Sequence, residues 1–383
     1  MIEYICNTCN VTHSIDTIRY KCDCGRPLNL KKTSTPFPIE PIKKRDNTLW
    51  RYHEALPIGL DDKSTTFVDA SIISLGEGMT PLLSLNGSQR DHRFKLDFIF
   101  PTGSYKDRGA SVLLSEVKEL GVQEVVEDSS GNAGAAIAAY SAKAGVDCTI
   151  YCPASTSKGK LAQIAMYGAK LKLIEGNRAA TTQAVLQAAE TTYYASHNWN
   201  PFFLEGTKTV AFEIAEQLGW KAPDQVICPV GFGSIYLGLY IGFRELHEQK
   251  IIAKIPRLLG VQSAACCPIY KAYVANATEI ERSPQTSETL AEGITSELPI
   301  RAQMIMDAIR ETHGAFATVD EAEIKAGVKI LAAKGIYVEP TSAVVVKGFE
   351  KFVTDGIIRE GELTVSILTG SGLKATDKLM KLM

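Results

Sequence analysis

From about residue 94 onward, short runs of apolar, β-prone residues alternate with stretches whose apolar positions recur at helical spacing. FKLDFIF (94–100) precedes a helical pattern beyond Lys106, VQEVVED (122–128) precedes GNAGAAIAAYSAKAG (131–145), and VDCTIYCP (146–153) precedes a helix around SKGKLAQIAMYGA (157–169). AKLKLIEG (169–176) then leads into RAATTQAVLQAAET (178–191). Further on, QVICPV (225–230) runs into a glycine-bearing helix start, followed by RLLGVQ (257–262) and ELTVSILTGSG (362–372). Alternation of this kind predicts an α/β fold with open, mostly parallel sheets covered by helices on both faces. At 383 residues, two such sheets fit the length. Residues 31–70, from KKTSTPFPIEPIKKRD through LDDKSTT, are polar, proline-bearing and weakly periodic, and read as a linker with extended arms.

The first thirty residues break the pattern. Cys6-x-x-Cys9 and Cys22-x-Cys24 set two thiol pairs twelve residues apart. That is the spacing of a small zinc ribbon, because four thiolates at about 2.3 Å satisfy a tetrahedral ion. Free cysteines are the other reading of these positions, and His13 is a conceivable substitute ligand. A closed four-sulfur site folds such a segment without doing chemistry. The other five cysteines, Cys148, Cys152, Cys228, Cys266 and Cys267, stand in apolar contexts and read as small buried hydrophobes.

Composition changes this picture little. Apolar content is 45%, charged content 22% and net charge −2, which gives no global attraction to nucleic acid or an anionic membrane. The N-terminus MIEYICNTCN has no basic stretch followed by an apolar core, and no run approaches the roughly 18–20 apolar residues that cross a bilayer. No membrane span and a cytoplasmic location are therefore expected. Ribbons also occur in nucleic-acid and protein adaptors, a reading that requires a basic, aromatic-bearing face over residues 1–45.

Ligands in open parallel sheets sit where strands end and helices begin. Four segments rich in small residues fall at such junctions: PTGSYKDRG (101–109), SSGNAG (129–134), PVGFGSIYLG (229–238) and LTGSGLK (368–374). Small residues there let backbone N–H groups approach an anion at a helix start. None matches a Walker A loop, and GFGSIYLG does not match the dinucleotide fingerprint. Lys106 in the first of them stands between small polar residues and an Asp-Arg-Gly turn. Taken alone, KDRG is a solvated lysine opening a helix. An ε-amine there becomes a nucleophile if desolvation and a neighbouring charge such as Arg108 raise its neutral fraction.

Taken together and in order, 75-LGEGMTPL-82, 101-PTGSYKDRG-109, 129-SSGNAG-134, 159-GKLAQIAMYGAK-170, 205-EGTKT-209, 229-PVGFGS-234, 338-VEPTSA-343 and 368-LTGSGLK-374 resemble the fold type II pyridoxal phosphate enzymes. Within them, and with the cysteine ribbon in front, the chain resembles the threonine synthase group. The resemblance implies that Lys106 condenses with the aldehyde of pyridoxal 5'-phosphate. It implies that Asn132 hydrogen-bonds the cofactor's 3-hydroxyl, and that Ser129, Ser130, Gly131 and Ala133 receive the substrate α-carboxylate. Gly231, Phe232, Gly233, Ser234 and Ile235 would cradle the cofactor phosphate. Thr369 would face the pyridine nitrogen, where a hydroxyl favours elimination and replacement chemistry. Glu339 either lines the cleft or opens a helix before Pro340.

For a threonine synthase the substrate is O-phospho-L-homoserine, and Lys106 serves in turn as anchor, base and acid while phosphate leaves Cγ and water adds at Cβ. The implied division is a ribbon over 1–30, a linker and arm over 31–90, a smaller mobile domain mainly over 91–205 and a large cofactor-binding domain mainly over 206–383. A homodimer acting on a small amino acid is implied as well. Two features depart from the group. In 200-NPFFLEGTKT-209, Phe203 stands where the group carries a phosphate-gripping arginine, leaving Lys208 as a point charge without the bidentate fork. The stretch 290-LAEGITSELP-299 is closer to serine and threonine dehydratases. The alternatives are therefore β-replacement of the cysteine- or cysteate-synthase kind, on phosphoserine or acetylserine for instance, and a dehydratase or ammonia-lyase. All of them share Lys106.

Overall fold

The computed structural model describes residues 2–32, 35–59, 71–85, 90–156, 158–176, 178–380 and 382. The chain divides into two compact units, one formed by Met1–Gly78 with Lys106–Thr207 and the other by Met79–Tyr105 with Lys208–Met383.

The first unit holds two sheets. At its N-terminus Ile2–Ile5 pairs antiparallel with Thr12–Ser14 on one side and Asn29–Lys32 on the other. The second sheet is parallel throughout, in the order Lys170–Ile174, Asp147–Pro153, Glu124–Glu127, Tyr193–Tyr194. The ribbon does not stand apart, because Tyr4, Cys6, Cys22 and Leu28 share one apolar core with Val112, Leu113 and Ala135–Ala139. The helix Asn132–Ala144 forms readily from its alanine-rich run. Gly145 ends it at φ 69°, a left-handed cap that glycine takes without strain.

Residues 35–59 differ from the expected extended linker; its remaining stretch, 60–70, lies outside the described residues. Ile39–Ile42 is helical, and Leu49–Ala55 forms a buried 3-10 segment. Trp50 Nε1 donates to Ser111 Oγ at 3.0 Å and Phe37 stacks on Tyr52 at 5.8 Å between centroids, so a few aromatics anchor a polar segment to the core.

The second unit is built on one six-stranded sheet in the order Ala315–Val319, Arg257–Ser263, Gln225–Pro229, Thr364–Ile367, His92–Lys95, Leu82–Ser84. All pairs are parallel except the last. Every residue of the central strand Gln225–Pro229 is buried, as expected when helices cover both faces. The strand His92–Lys95, which directly precedes the Lys106 segment, belongs to this sheet. The architecture is the expected α/β one, with two mostly parallel sheets and a small N-terminal cysteine ribbon. The five scattered cysteines are all buried. Among the described residues no helix is long and apolar enough to cross a membrane.

Candidate active site

In the first unit Lys106 is the first residue of the helix Lys106–Glu119. This helix meets Pro201–Thr207 with almost no gap. A Cβ at Gly109 would lie 2.5 Å from the Phe203 ring, and one at Gly206 would overlap the Arg108 carbonyl oxygen. Glycine at both crossing points lets the backbones touch. The contact puts Phe203, which has no solvent exposure, beneath the amine, with Lys106 Nζ 5.7 Å from the ring centroid.

The strand Glu124–Glu127 ends at Asp128, and Ser129, Ser130 and Gly131 turn the chain into the helix beginning at Asn132. A Cβ at Gly134 would overlap the Ser129 carbonyl oxygen, so the turn can curl over the first helical residues only because that side chain is missing. The Gly131 N–H donates to Ser129 Oγ at 3.3 Å. The first amides of a helix have no acceptor within it and carry the positive end of its dipole. Ser129, Ser130, Gly131, Asn132 and Ala133 thus share one turn suited to a carboxylate.

Four further residues around Lys106 were not singled out in the sequence. His197 Nδ1 lies 2.6 Å from Glu127 Oε1 in a region where Glu127 is fully buried and His197 nearly so. Burial pushes the Glu127 carboxyl well above the usual range, an effect the Asp128 charge reinforces and Arg178 and Lys106 oppose. Burial holds the His197 imidazole well below its usual value, with the charges of Lys106 and Arg178 adding to it. Asp128 is supplied differently. Its Oδ2 accepts from Arg178 Nη2 at 2.8 Å and Thr182 Oγ1 at 3.1 Å, and its Oδ1 from the Tyr194 hydroxyl at 2.7 Å. The available signal was the acidic pair ending VVED, where a buried strand should stay apolar.

In the second unit the turn Gly231–Ile235 joins the strand Gln225–Pro229 to the helix Ser234–Glu248. Gly233 caps that helix at φ 92°, and a Cβ on it would lie 2.6 Å from Ile305 Cδ1. One on Gly231 would lie 2.8 Å from Ile294 Cα, in the 290–299 stretch. Glycine at both positions lets Ile294 and Ile305 pack directly against the turn, while the first amides of the helix it opens have no acceptor within the helix. Ser234 Oγ is 2.8 Å from the Tyr105 hydroxyl, and the Tyr105 N–H donates to the Thr369 carbonyl oxygen at 2.9 Å. Thr369 Oγ1 lies 3.0 Å from Ser342 Oγ, which also accepts from the N–H groups of Thr369 and Gly370 at 3.0 and 2.8 Å. Tyr105, the residue bonded to Lys106, therefore ties the Gly231–Ile235 turn to Thr369. Glu339 caps the helix Pro340–Thr354, and its N–H donates to the Gly370 carbonyl oxygen at 3.0 Å.

The phosphate grip expected of Lys208 requires correction. Its side chain has no exposure and its Nζ lies 2.9 Å from Glu245 Oε2 and 3.0 Å from Oε1. That charge is already neutralised inside the unit.

In the ribbon the sulfurs of Cys6, Cys9, Cys22 and Cys24 all lie within 4.8 Å of one another. Cys6 and Cys24, and Cys9 and Cys22, are each 3.5 Å apart. A tetrahedral ion with bonds of about 2.3 Å requires sulfurs about 3.8 Å apart, so the set fits zinc. His13 Nε2 stands 3.6 Å from Cys22 Sγ, beside the cluster and not in place of a sulfur.

A family model for pyridoxal-phosphate dependent enzymes matches residues 73–370. The chain is 37% identical to a threonine synthase of Methanocaldococcus jannaschii over 390 residues, covering 98% of this chain and 94% of that protein. It is 36% identical to a threonine synthase of Methanosarcina acetivorans over 387 residues, covering 98% and 92%. Among solved structures, an L-serine ammonia-lyase of Rhizomucor miehei superposes with a TM-score of 0.68 at 22% identity, covering 79% of this chain and 98% of that one, which shows the shared fold.

Proposed function

The chain belongs to the pyridoxal-phosphate-dependent enzymes, in the threonine synthase group, and from that premise we propose that it converts O-phospho-L-homoserine and water to L-threonine and phosphate. The observation that carries this reading is a likeness of 37% identity running through 98% of the chain, ribbon included. When bound, pyridoxal phosphate supplies an electron sink for the charge left when a proton leaves the substrate's α-carbon.

The chain's own residues do the rest. Lys106 would hold the cofactor and, with substrate in the site, would remove and return protons as base and acid. The turn Ser129–Ala133 binds the α-carboxylate at the helix start, and Asn132 orients the cofactor through its 3-hydroxyl. Gly231, Phe232, Gly233, Ser234 and Ile235 hold its phosphate. Thr369, whose hydroxyl lies 3.0 Å from Ser342 Oγ, would face the ring nitrogen. Cys6, Cys9, Cys22 and Cys24 hold a structural zinc ion. The enzyme acts as a homodimer in the cytoplasm.

One observation favours a second reading. Phe203 is buried against Gly109 and offers no cation where the group carries its arginine, and Lys208 is neutralised by Glu245. β-replacement on an unphosphorylated amino acid such as acetylserine, or elimination from serine or threonine, would need no grip on a substrate phosphate. The test is to supply O-phosphohomoserine, O-phosphoserine, serine and threonine separately, following phosphate, threonine, keto acid and ammonia. Phosphate and threonine released in equal amounts from phosphohomoserine alone is the expected result. Keto acid and ammonia from serine or threonine would replace it with the second reading.

A further inference from the structure

Glu127 and Asp128 are consecutive carboxyls at the end of one strand, yet they are provided for in opposite ways. Asp128 receives a guanidinium and two hydroxyls across its two side-chain oxygens. Glu127 has His197 Nδ1 on Oε1, and its Oε2 is buried with no hydrogen-bond partner. A buried carboxylate with one oxygen lacking a donor is costly, whereas a carboxylic acid sharing one proton with an imidazole carries no net charge. Both groups lie within electrostatic reach of Lys106. The Phe203 ring lies 6.1 Å from the His197 ring and 5.7 Å from Lys106 Nζ, and the Lys106 charge acts on both Glu127 and His197.

We propose that Glu127 and His197 are positioning residues for Lys106, a buried couple sharing one proton whose ionisation is linked to that of the lysine nitrogen. The inference rests on Lys106 carrying the cofactor. While the couple keeps its proton it is neutral and does nothing to hold the lysine nitrogen in its protonated form, which leaves that nitrogen free to act as a base. When the couple loses its proton, one negative charge appears beside Lys106 and favours protonation there, as a nearby opposite charge does. No proton passes to substrate from the couple itself; it sets the state of the group that does the transfer.

Among the described residues, the other charged and titratable groups facing the couple are Asp128 beside it, Tyr194 and Cys148 on the flanking strands, and Arg178 and Lys106 on helices. Asp128 and Arg178 pair with each other. The Tyr194 hydroxyl and the Cys148 thiol are both pushed up by burial.

The test follows the visible absorbance of the cofactor-loaded protein against pH, without substrate, for the wild type, Glu127→Gln and His197→Asn. The wild type is expected to titrate in two linked steps. Glu127→Gln cannot become negative, so it should titrate in a single step whose midpoint lies about one pH unit or more below the upper wild-type step. His197→Asn, which keeps the acid but removes the second site for its proton, should displace the upper step. A single unlinked step in the wild type overturns the proposal without any variant, and so do variants that superimpose on the wild type. A protein that binds no coloured cofactor at Lys106 would refute the premise instead, and since no substrate is present, neither outcome depends on phosphohomoserine turnover.

Discussion

In the second unit Lys95 and Lys208 are buried against carboxylates. Lys95 Nζ lies 2.7 Å from Glu213 Oε2 with neither side chain exposed, and donates to the Thr80 carbonyl oxygen and Gln217 Oε1 at 2.7 and 3.0 Å. Lys208 is held by Glu245. In the first unit three of the buried acids, Glu77, Glu116 and Glu127, face hydroxyls and an imidazole: Glu77 takes the Tyr140 hydroxyl at 2.7 Å, Glu116 those of Tyr4 and Tyr193, and Glu127 Oε1 lies 2.6 Å from His197 Nδ1. Burial raises all three acids above their usual range. A buried ion pair fixes charge and shape at once, whereas an acid among hydroxyls keeps a proton that can be lost. The two lysine pairs of the second unit are therefore electrostatically settled, whereas these three acids of the first unit keep titratable protons in its interior.

The largest effect should come from breaking a settled pair. Lys95→Met leaves Glu213 as an uncompensated buried charge and should cost roughly 3–5 kcal/mol in urea unfolding. Replacing both, Lys95→Met with Glu213→Leu, should recover most of that loss. If the single change costs less than about 1 kcal/mol, the pair is not functioning as a buried one and the contrast between the units fails.

Glu116 tests the other side. Burial pushes its carboxyl up to about 8 from an ordinary 4.5, despite the Tyr193 and Tyr4 hydroxyls. A folded-state value above the unfolded one gives stability that is complete below about 4.5 and lost as pH rises toward about 8, because the unfolded chain releases its proton first. Glu116→Gln keeps both hydroxyl partners and removes the proton, so across that window the variant should lose roughly 4–5 kcal/mol less than the wild type. Equal pH slopes would mean that Glu116 is ionised in the fold. The comparison would then be one of partners only.

The sequence carried the architecture well because parallel strands buried on both faces appear as near-continuous apolar runs, several of them followed by glycine at the junction with a helix, as after Glu124–Glu127, Gln225–Pro229 and Thr364–Ile367. The four ribbon cysteines were legible for a similar reason, since tetrahedral sulfur chemistry constrains spacing along the chain. What depended on distant partners was not legible. His92–Lys95 looks like the opening of the segment that follows it, but its parallel partner is Thr364–Ile367 near the other end of the chain. Residues 35–59 look like a linker because polar letters outnumber the aromatics that anchor them. Lys208 beside Gly206 and Thr207 suggested an anion grip until Glu245, 37 residues on, was seen to hold it. Glu127 and His197 lie 70 residues apart, and neither carries a local pattern that names the other.

The smallest effect concerns the ring beneath Lys106. Gly109→Ala sets a Cβ 2.5 Å from Phe203 in a contact with no free space, and should cost about 1–3 kcal/mol by overpacking. Phe203→Leu removes ring volume and should cost about 1 kcal/mol. Leucine withdraws the atoms that the new methyl would strike, so the double variant should cost less than the sum of the two by at least about 0.5 kcal/mol. The same double variant should bind cofactor with its absorbance titration close to that of the wild type, because Glu127 and His197 are untouched. Additivity within about 0.3 kcal/mol would mean that ring and glycine are not in contact. Lys106 would then be seated by something other than Phe203, and the titratable interior of the first unit would have to set its protonation without the ring as a spacer.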